Sequence, residues 1–427
     1  MEKSMKNSGI EWIGEIPYNW EIIPNKYLFE NHSVKVGATW DKYKLLSLTT
    51  MGVKEKDGSV AGGKVPDSYE NYQTVVPGDM IFCLFDLDCS AVFSGVSPYY
   101  GMITSAYDVY EINKKLADNL YVDYLFQYAF SNRYYKIYSK NIRYTVTTEM
   151  FKSIRTPIPP LDTQMKIGTL LSNKCSKVDK LIEVQQAQIE KLKEYKQSVI
   201  TEAVTKGLDT SAPMKDSGIE WLGAVPENWS VKRAKYVATS IFKGNGITKE
   251  DIVIDGDTPC VRYGEIYTKY DISFEKCKTH TNKITVQQFF KYGDILFAGT
   301  GELVEEIGKN IVYLGKELCL AGGDIIVFRH EQNSKYMNYA LYATCSQMQK
   351  SYGKAKLKVV HISSFEIGNI FVTVPSLSEQ QQIAEYLDDK CAKIDKLIVL
   401  KQEKIEKLNE YKKSLIYEYV TGKKEVV

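Results

Sequence analysis

The sequence has few of the residues that build catalytic and metal sites. Only four of its 427 residues are histidine, and none lies in an H-E-x-x-H or similar ligand spacing. The eight cysteines form no CxxC pair, and Cys175 and Cys391 fall inside helical segments, where a small core residue fits. The G-x-S-x-G elbow and the Asn/Asp-Pro-Pro-aromatic motif are absent as well. We therefore expect no metal site and no catalysis by this chain alone.

Strong net charge and long apolar runs are also missing. A formal charge of +2 argues against a protein that coats nucleic acid without specificity, but it allows basic residues to gather on one face. The first twelve residues lack the apolar stretch of a signal peptide, and no run is long enough to span a bilayer. This pattern predicts a soluble, cytoplasmic, globular protein without a membrane partner.

The sequence contains two internal repeats. Residues 6–22 return at 215–231, a shift of 215 − 6 = 209, and residues 159–205 return at 375–421, a shift of 375 − 159 = 216. The longer pair has 25 identities in 47 positions without a gap. The stretches between the repeats, 23–156 and 232–373, resemble each other far less. Such an arrangement indicates a constant frame that carries two different domains.

The longer repeat predicts two long helices. Each copy opens at prolines, which exclude a helix through them. After these prolines Asp162 or Thr163 can cap the first helix, and Ser378 with Gln381 matches a capping box for the second. About 40 residues with heptad-like apolar spacing follow in each copy, interrupted at two seam positions by Gln185/Lys401 and Lys196/Lys412. Gly207 and Gly422 are the expected stops. We expect the two helices to bury their apolar stripes against each other as an antiparallel pair, although packing of each helix on its own domain is the alternative. The predicted interface residues are Leu171, Val178, Ile182, Ile189, Leu192, Val199, Leu387, Ile394, Ile398, Ile405, Leu408 and Leu415.

The two divergent stretches predict α+β domains with the same internal order. Each has β-prone runs, a Gly-Asp step before an apolar run (Gly78-Asp79 and Gly293-Asp294), and then a helical segment, 121–138 or 335–352. The glycine-rich 242–251 and 299–301 do not match a P-loop or a dinucleotide-binding fingerprint, so a nucleotide site is not expected.

Basic and aromatic residues cluster at the same place in both domains. Residues 133–155 contain six basic residues and one acid, with tyrosines interleaved, and 350–361 contains four lysines and a histidine without an acid. Such groups neutralise phosphates, although a basic run is often only a solvated face. The candidate DNA-contacting residues in these segments are Arg133, Lys136, Lys140, Arg143, Tyr144, Lys354, Lys356, Lys358 and His361.

Together, these features resemble the specificity subunit of a type I restriction–modification system. The resemblance covers essentially the whole chain and rests on the SGIEW-G-P-W boxes (8–20 and 217–229), the Pro-Pro/Ser-Leu-x-x-Gln entry to each long helix, and the D-K-L-I…I-E-K-L-x-E-Y-K-x-S cores. Residues 244–251 and 259–271 resemble motifs of target recognition domains. Arg262 and Tyr263 of these motifs, and Lys243 just before the first one, join the candidate contacts.

The resemblance implies two target recognition domains, each of which reads one half of a split, asymmetric site on double-stranded DNA. The two helices would hold these domains at a fixed separation and dock two methyltransferase subunits, which would bring S-adenosylmethionine and the chemistry. Restriction or translocase subunits could join the complex, and this chain would bind no cofactor itself. The implied domains are 1–22, 23–156, 157–207, 208–231, 232–373 and 374–427, in the order segment, recognition domain, helix, twice. The alternatives are a self-sufficient restriction–methylation enzyme, for which no motif is present, and a coiled-coil scaffold without a DNA-reading role.

Overall fold

The protein is described by a computed structural model that divides into two compact units. Unit 1 comprises residues 1–186 and 403–427, and unit 2 comprises 187–402. The structure describes residues 4–50, 52–56, 68–90, 93–139, 144–283, 288–354 and 360–426. Each of the two long helices contributes one half to each unit.

The first long helix spans Leu161–Lys206 and the second spans Leu377–Val420. Neither predicted cap is correct. The first helix begins at Leu161, ahead of Asp162 and Thr163, because the carbonyl of Pro160 already accepts the first helical bond, from Gln164 N. The capping residues of the second helix are Ser376 and Glu379, each of which binds the backbone N–H of the other, while Ser378 already lies inside the helix.

Both long helices end as predicted, at a glycine with a left-handed backbone. Gly207 has φ +77° and Gly422 has φ +72°, a conformation that only glycine adopts without strain. A tryptophan from a short repeat packs on each stop. A Cβ on Gly422 would lie 3.1 Å from the Trp20 ring, and a Cβ on Gly207 would lie 3.2 Å from the Trp229 ring. The last tryptophan of each SGIEW-G-P-W box therefore packs against the C-terminal end of a long helix.

Unit 1 is built on an antiparallel sheet of four strands. In spatial order they are Phe29–Asn31, Asp108–Ile112, Met80–Phe82 and Ser94–Val96. Two-stranded pairs surround this sheet: Met5–Asn7 with Glu15–Pro17, Glu21–Pro24 with Arg155–Ile158, Leu46–Thr49 with Gly52–Glu55, and Gln73–Val75 with Gly101–Ile103. The α-helices outside the long ones are Asn25–Leu28, Asn119–Ser131 and Thr148–Ser153, with 3-10 turns at Gly37–Lys42 and Tyr134–Tyr138.

Unit 2 contains two sheets of five strands. One has the order Ala238–Lys243, Ile325–His330, Ile295–Ala298, Asn310–Tyr313, Ser273–Phe274, and the other Ile252–Val253, Thr279–Thr281, Thr258–Val261, Cys319–Ala321, Phe289–Phe290. Two-stranded pairs are Met214–Asp216 with Ala224–Pro226, Ser230–Arg233 with Phe371–Val374, and Thr300–Gly301 with Val360–His361. The shorter helices are Tyr263–Thr268, Ser334–Tyr342, Thr344–Ser351 and Ser364–Asn369, with 3-10 turns at Ala234–Tyr236 and Val304–Glu306.

The predicted helical segments 121–138 and 335–352 each divide into two pieces. In unit 1 the break is at Asn132–Arg133, where Arg133 has φ +62° and cannot continue a right-handed helix. In unit 2 it is at Ala343, whose ψ of 155° is extended. Tertiary contacts decide both breaks, since neither contains a proline or a glycine.

The Gly-Asp step makes the same turn in both domains. Gly78 and Gly293 have positive φ, and the following Asp79 and Asp294 accept a hydrogen bond from the backbone N–H three residues earlier, at 2.8 and 2.9 Å. Both carboxylates are about 1% exposed, and each is satisfied by a basic partner, His32 Nδ1 at 3.0 Å in unit 1 and Arg329 in unit 2. The divergent domains therefore share a common architecture in these elements.

Candidate nucleic-acid interface

One buried glutamine in the first turn of each long helix connects that helix to its recognition domain. Gln164 accepts from Asp118 N at 2.8 Å and donates to Pro159 O at 2.8 Å, while Gln380 accepts from Asn333 N at 2.9 Å and donates to Pro375 O at 3.0 Å. Both glutamines are fully buried. This repeated network explains the Pro-x-Leu-x-x-Gln motif, because the amide joins the helix start to the cap of the domain's own helix.

The two long helices pair antiparallel within each unit, as predicted. In unit 1, Leu171 packs in one core with Leu415, and Lys412 Nζ lies 2.6 Å from an Asp179 carboxylate oxygen. In unit 2, Val199 shares a core with Leu387. Of the predicted interface residues, those buried are Leu171, Val178, Ile189, Val199, Leu387, Ile394, Ile405 and Leu415, and those half-buried are Ile182, Leu192, Ile398 and Leu408.

In unit 1 the basic segment that begins at Arg133 contacts the loop after the central strand Met80–Phe82. Lys136 Nζ stands 4.0 Å from the centre of the Tyr144 ring, a cation–π contact between two of the candidate residues. Lys140 and Arg143 lie outside the described residues. The structure thus places part of the predicted cluster together at this loop.

Arg133 points inward to the same loop. Its Nη1 donates to Leu87 O at 2.9 Å and to Ser90 O at 2.7 Å, and its guanidinium lies 4.5 Å from the centre of the Phe93 ring. A guanidinium used in this way fixes a loop rather than reaching outward to a phosphate. Its contact with DNA stays a prediction.

In unit 2 Lys243 lies at the end of an edge strand, 2.7 Å from an Asp324 carboxylate oxygen. The backbone at Gly244 packs closely against the backbone at Gly322, since a Cβ on Gly244 would lie 2.3 Å from Gly322 O. Asp324 has φ +61° and its carbonyl accepts from Gly299 N at 2.7 Å, so it joins the loop of Lys243 to the loop that begins at Gly299.

Arg262 is the N-cap of the short helix that begins at Tyr263 and contains Glu265. This carboxylate is 2% exposed, and it accepts from Arg262 N at 3.0 Å, Lys269 Nζ at 2.8 Å and Thr279 Oγ1 at 2.8 Å. Burial raises the pKa of Glu265, but the hydrogen bonds from these three groups outweigh it and hold that pKa below its ordinary value. Arg262 Nε is buried without a partner among the described residues, and the Tyr263 side chain is 39% exposed.

His361 and Lys354 lie beside the segment that begins at Gly299. His361 Nδ1 is 3.1 Å from Thr300 Oγ1, and Lys354 Nζ donates to His361 O at 2.5 Å and to Glu366 at 2.6 Å. Lys356 and Lys358 lie outside the described residues.

In unit 2 these candidates converge. Gly299 O accepts from Ile362 N at 2.9 Å, and Gly299 N donates to Asp324 O. These bonds connect the paired strands of Thr300 and His361 to the residues around Lys243. Gly322 N donates to Val261 O at 2.8 Å, which places the residue before Arg262 beside the same loop. The sequence analysis missed Thr300 and Asp324. The glycines around them were the available signal, but they were tested only as a nucleotide cradle.

Within the described parts of the chain, none of the helices combines the length and the apolar character that a membrane span requires. No group of three or more His, Cys, Asp or Glu residues there is arranged to hold a metal ion.

Comparison with known proteins shows similarity to one family. The family model "Type I restriction modification DNA specificity domain" matches residues 226–410. The chain is 27% identical over 369 residues to the type I restriction enzyme MjaVIII specificity subunit of Methanocaldococcus jannaschii, covering 83% of this chain and 81% of that protein. It is 30% identical over 210 residues to the putative MjaX specificity subunit of the same organism, covering 47% of each.

The fold agrees with this similarity. A structure from work on the assembly and conformational transition of the type I R-M system superposes with a TM-score of 0.69 at 15% identity, covering 95% of this chain and 98% of that one. In sequence, the chain is therefore similar to type I restriction–modification specificity subunits.

Proposed function

We propose that this chain is the DNA-reading, non-catalytic subunit of a type I restriction–modification complex, and that each recognition domain reads one half of a bipartite site. The observation that carries the proposal is the contrast between frame and domain. The helix entries at Gln164 and Gln380 share two hydrogen bonds, one accepted from the cap of the domain's own helix and one donated to the preceding proline carbonyl. The groups around the two loops differ: Leu87 O and the Arg133 guanidinium in unit 1, and the Thr300 hydroxyl in unit 2. Two different surfaces on one repeated frame suit two different DNA words.

The chemistry of the unit 2 cluster supports DNA as the ligand. Lys243, Arg262 and Lys354 supply positive charge for phosphates. Thr300 and His361 add a hydroxyl and an imidazole, which donate or accept hydrogen bonds at base edges in the major groove. Asp324 adds an acceptor for an amino group on cytosine or adenine.

The long helices offer a repeated surface for a repeated partner. Leu181 and Leu397, Val184 and Leu400, and Tyr195 and Tyr411 are equivalent residues in the repeat. Their exposed fractions nearly match: 48% and 47%, 49% and 50%, 54% and 52%. Exposed apolar residues at equivalent places favour two copies of one protein partner. We propose that these partners are the methyltransferase subunits, which bind S-adenosylmethionine, and that restriction or translocase subunits join that assembly. The length of the helices would set the unread gap between the two half-sites.

The proposal is tested by mobility shift of DNA fragments with the purified chain and its methyltransferase partner. The complex should bind a fragment carrying the split motif at least a hundredfold more tightly than a scrambled fragment of the same composition. Arg143→Ala and Lys356→Ala should each flatten the salt dependence of binding by about one unit of slope, as the loss of one phosphate contact does. Equal affinity for both fragments would reject the DNA-reading role and leave the scaffold alternative.

A further inference from the structure

Left-handed backbone conformations gather around one loop of unit 1. Four non-glycine residues of the described chain have positive φ: Asp86 at 52°, Arg133 at 62°, Tyr144 at 46° and Asp324 at 61°. The first three meet at residues 85–90, which we call the clamp loop. Asp86 lies in this loop, Tyr144 O accepts from Leu87 N at 3.4 Å, and the Arg133 side chain binds Leu87 O and Ser90 O. Each such conformation costs roughly 1 kcal/mol or more, so three together require strong support from the surroundings.

Arg133 supplies two of the hydrogen bonds that hold the loop. Its Nη1 donates to two carbonyls of the loop, at 2.9 and 2.7 Å, while the face of the guanidinium lies on Phe93. A lysine carries the same charge but lacks the planar fork and the flat face, so it cannot reproduce both contacts. The arrangement therefore depends on the shape of Arg133 as well as on its charge.

The clamp loop presents an exposed acid, next to a second acid, Asp86, and to two basic residues. Asp88 lies at its tip with an exposed side chain, while Arg133 and Lys136 lie beside the loop. A carboxylate that faced the DNA backbone would be repelled by phosphates. At a base edge, the same carboxylate accepts a hydrogen bond from the amino group of cytosine or adenine.

We propose that Arg133 is a positioning residue that holds the clamp loop in its reading conformation, and that Asp88 is the specificity-determining residue that the loop presents to the first half-site. The proposal rests on the DNA-reading function proposed above. It assigns Arg133 a different role from the phosphate contact that the sequence predicted. The base that Asp88 selects carries an exocyclic amino group in the major groove.

The test uses the chain assembled with its methyltransferase partner. Wild type and Arg133→Lys are compared for methylation of a DNA library randomised in both half-sites, and for the salt dependence of binding. Arg133→Lys should lower selectivity at the first half-site about tenfold or more, leave the second half-site unchanged, and keep the slope of log affinity against log salt. Unchanged selectivity would overturn the positioning role, whatever the slope does.

A second variant keeps the test decisive if Arg133→Lys unfolds the domain. Asp88→Ala leaves the clamp intact and should abolish the preference for an amino-bearing base at one position of the first half-site. Asp41→Ala, an exposed acid of the same domain, is the matched control and should change nothing. An unaltered first half-site in Asp88→Ala would refute the assignment of Asp88. A wild-type complex without any split-site preference would instead refute the underlying function.

Discussion

Lys196 of the first long helix forms a salt bridge with Asp395 of the second, with Nζ 2.7 Å from both carboxylate oxygens. The equivalent residues reverse the roles in unit 1, where Lys412 of the second helix binds Asp179 of the first at 2.6 and 2.8 Å. The sequence analysis placed both lysines in the apolar seam as polar interruptions. The structure shows that each bridges to the partner helix, which defines the register of the antiparallel pair within its unit.

The Lys196–Asp395 bridge should contribute measurably to stability. Asp395 is half exposed, so the coupling is reduced by solvent screening, and a double-mutant cycle with Lys196→Met and Asp395→Asn should give about 0.5–1 kcal/mol. The measurement is urea unfolding of the two single variants and the double variant. Lys193→Met, which breaks a more exposed bridge within one helix, is the control and should cost less than 0.5 kcal/mol. Strict additivity in the cycle would show that the bridge does not join the helices energetically.

The loss of the buried glutamine at the start of either long helix should lower stability far more. Gln164→Leu leaves Asp118 N, Leu116 O and Pro159 O without their partner, which should cost about 2–4 kcal/mol. Gln380→Leu should have a similar effect in unit 2. Thermal unfolding measures both, and Gln186→Leu, an exposed helix position, serves as the control. A loss below about 0.5 kcal/mol in Gln164→Leu would show that the network is not structural.

Lys350 should make stability depend on pH. It is buried, it donates to Gly308 O and Asn310 Oδ1, and burial lowers its pKa from 10.5 to about 7. Between those values the unfolded chain binds more protons than the folded chain, so stability rises as pH increases from about 7 towards 10.

Lys350→Met removes this dependence. The difference in unfolding free energy between the variant and wild type should therefore shift in favour of wild type as pH rises from 7 to 9, as measured by urea denaturation at each pH. A difference that is constant with pH would mean that Lys350 keeps an ordinary pKa in the folded protein.

The repeated apolar face should determine partner stoichiometry. Leu181→Lys should remove one methyltransferase subunit, Leu397→Lys the other, and the double variant both, because a buried lysine disrupts an apolar contact. Native mass spectrometry reports the number of subunits bound. Gln186→Lys adds the same charge on another helix face and should keep two. Two bound subunits in the double variant would place the docking surface elsewhere.

The frame could be predicted from the sequence because its signals are local or repeated. Heptad spacing, the 47-position repeat and the stops at Gly207 and Gly422 all describe the long helices without reference to distant residues. The cap of the second helix is less predictable, because Ser376 and Ser378 both begin a Ser-x-x-Glu/Gln pattern and only the position of the helix start distinguishes them.

The candidate interface was less predictable because distant segments build it. Asp324 contacts Gly299 and Lys243, which lie 25 and 81 residues away, through strand register that no local pattern encodes. The inward direction of Arg133 depends in the same way on a loop more than forty residues earlier. Residue type predicted that these regions carry charge, but not which side chains are free to meet DNA.

The central claim is that two separate domains read two separate half-sites, and a domain exchange tests it most directly. Residues 234–370 lie just inside the paired strands Ser230–Arg233 and Phe371–Val374, so a relative's domain can be joined there without breaking the frame. The methylated motif of cells carrying the chimera is then read by methylome sequencing. The account predicts that one half of the motif changes to that of the donor while the other half and the unread gap stay the same. A change in both halves, or an unchanged motif with full methylation, would contradict it.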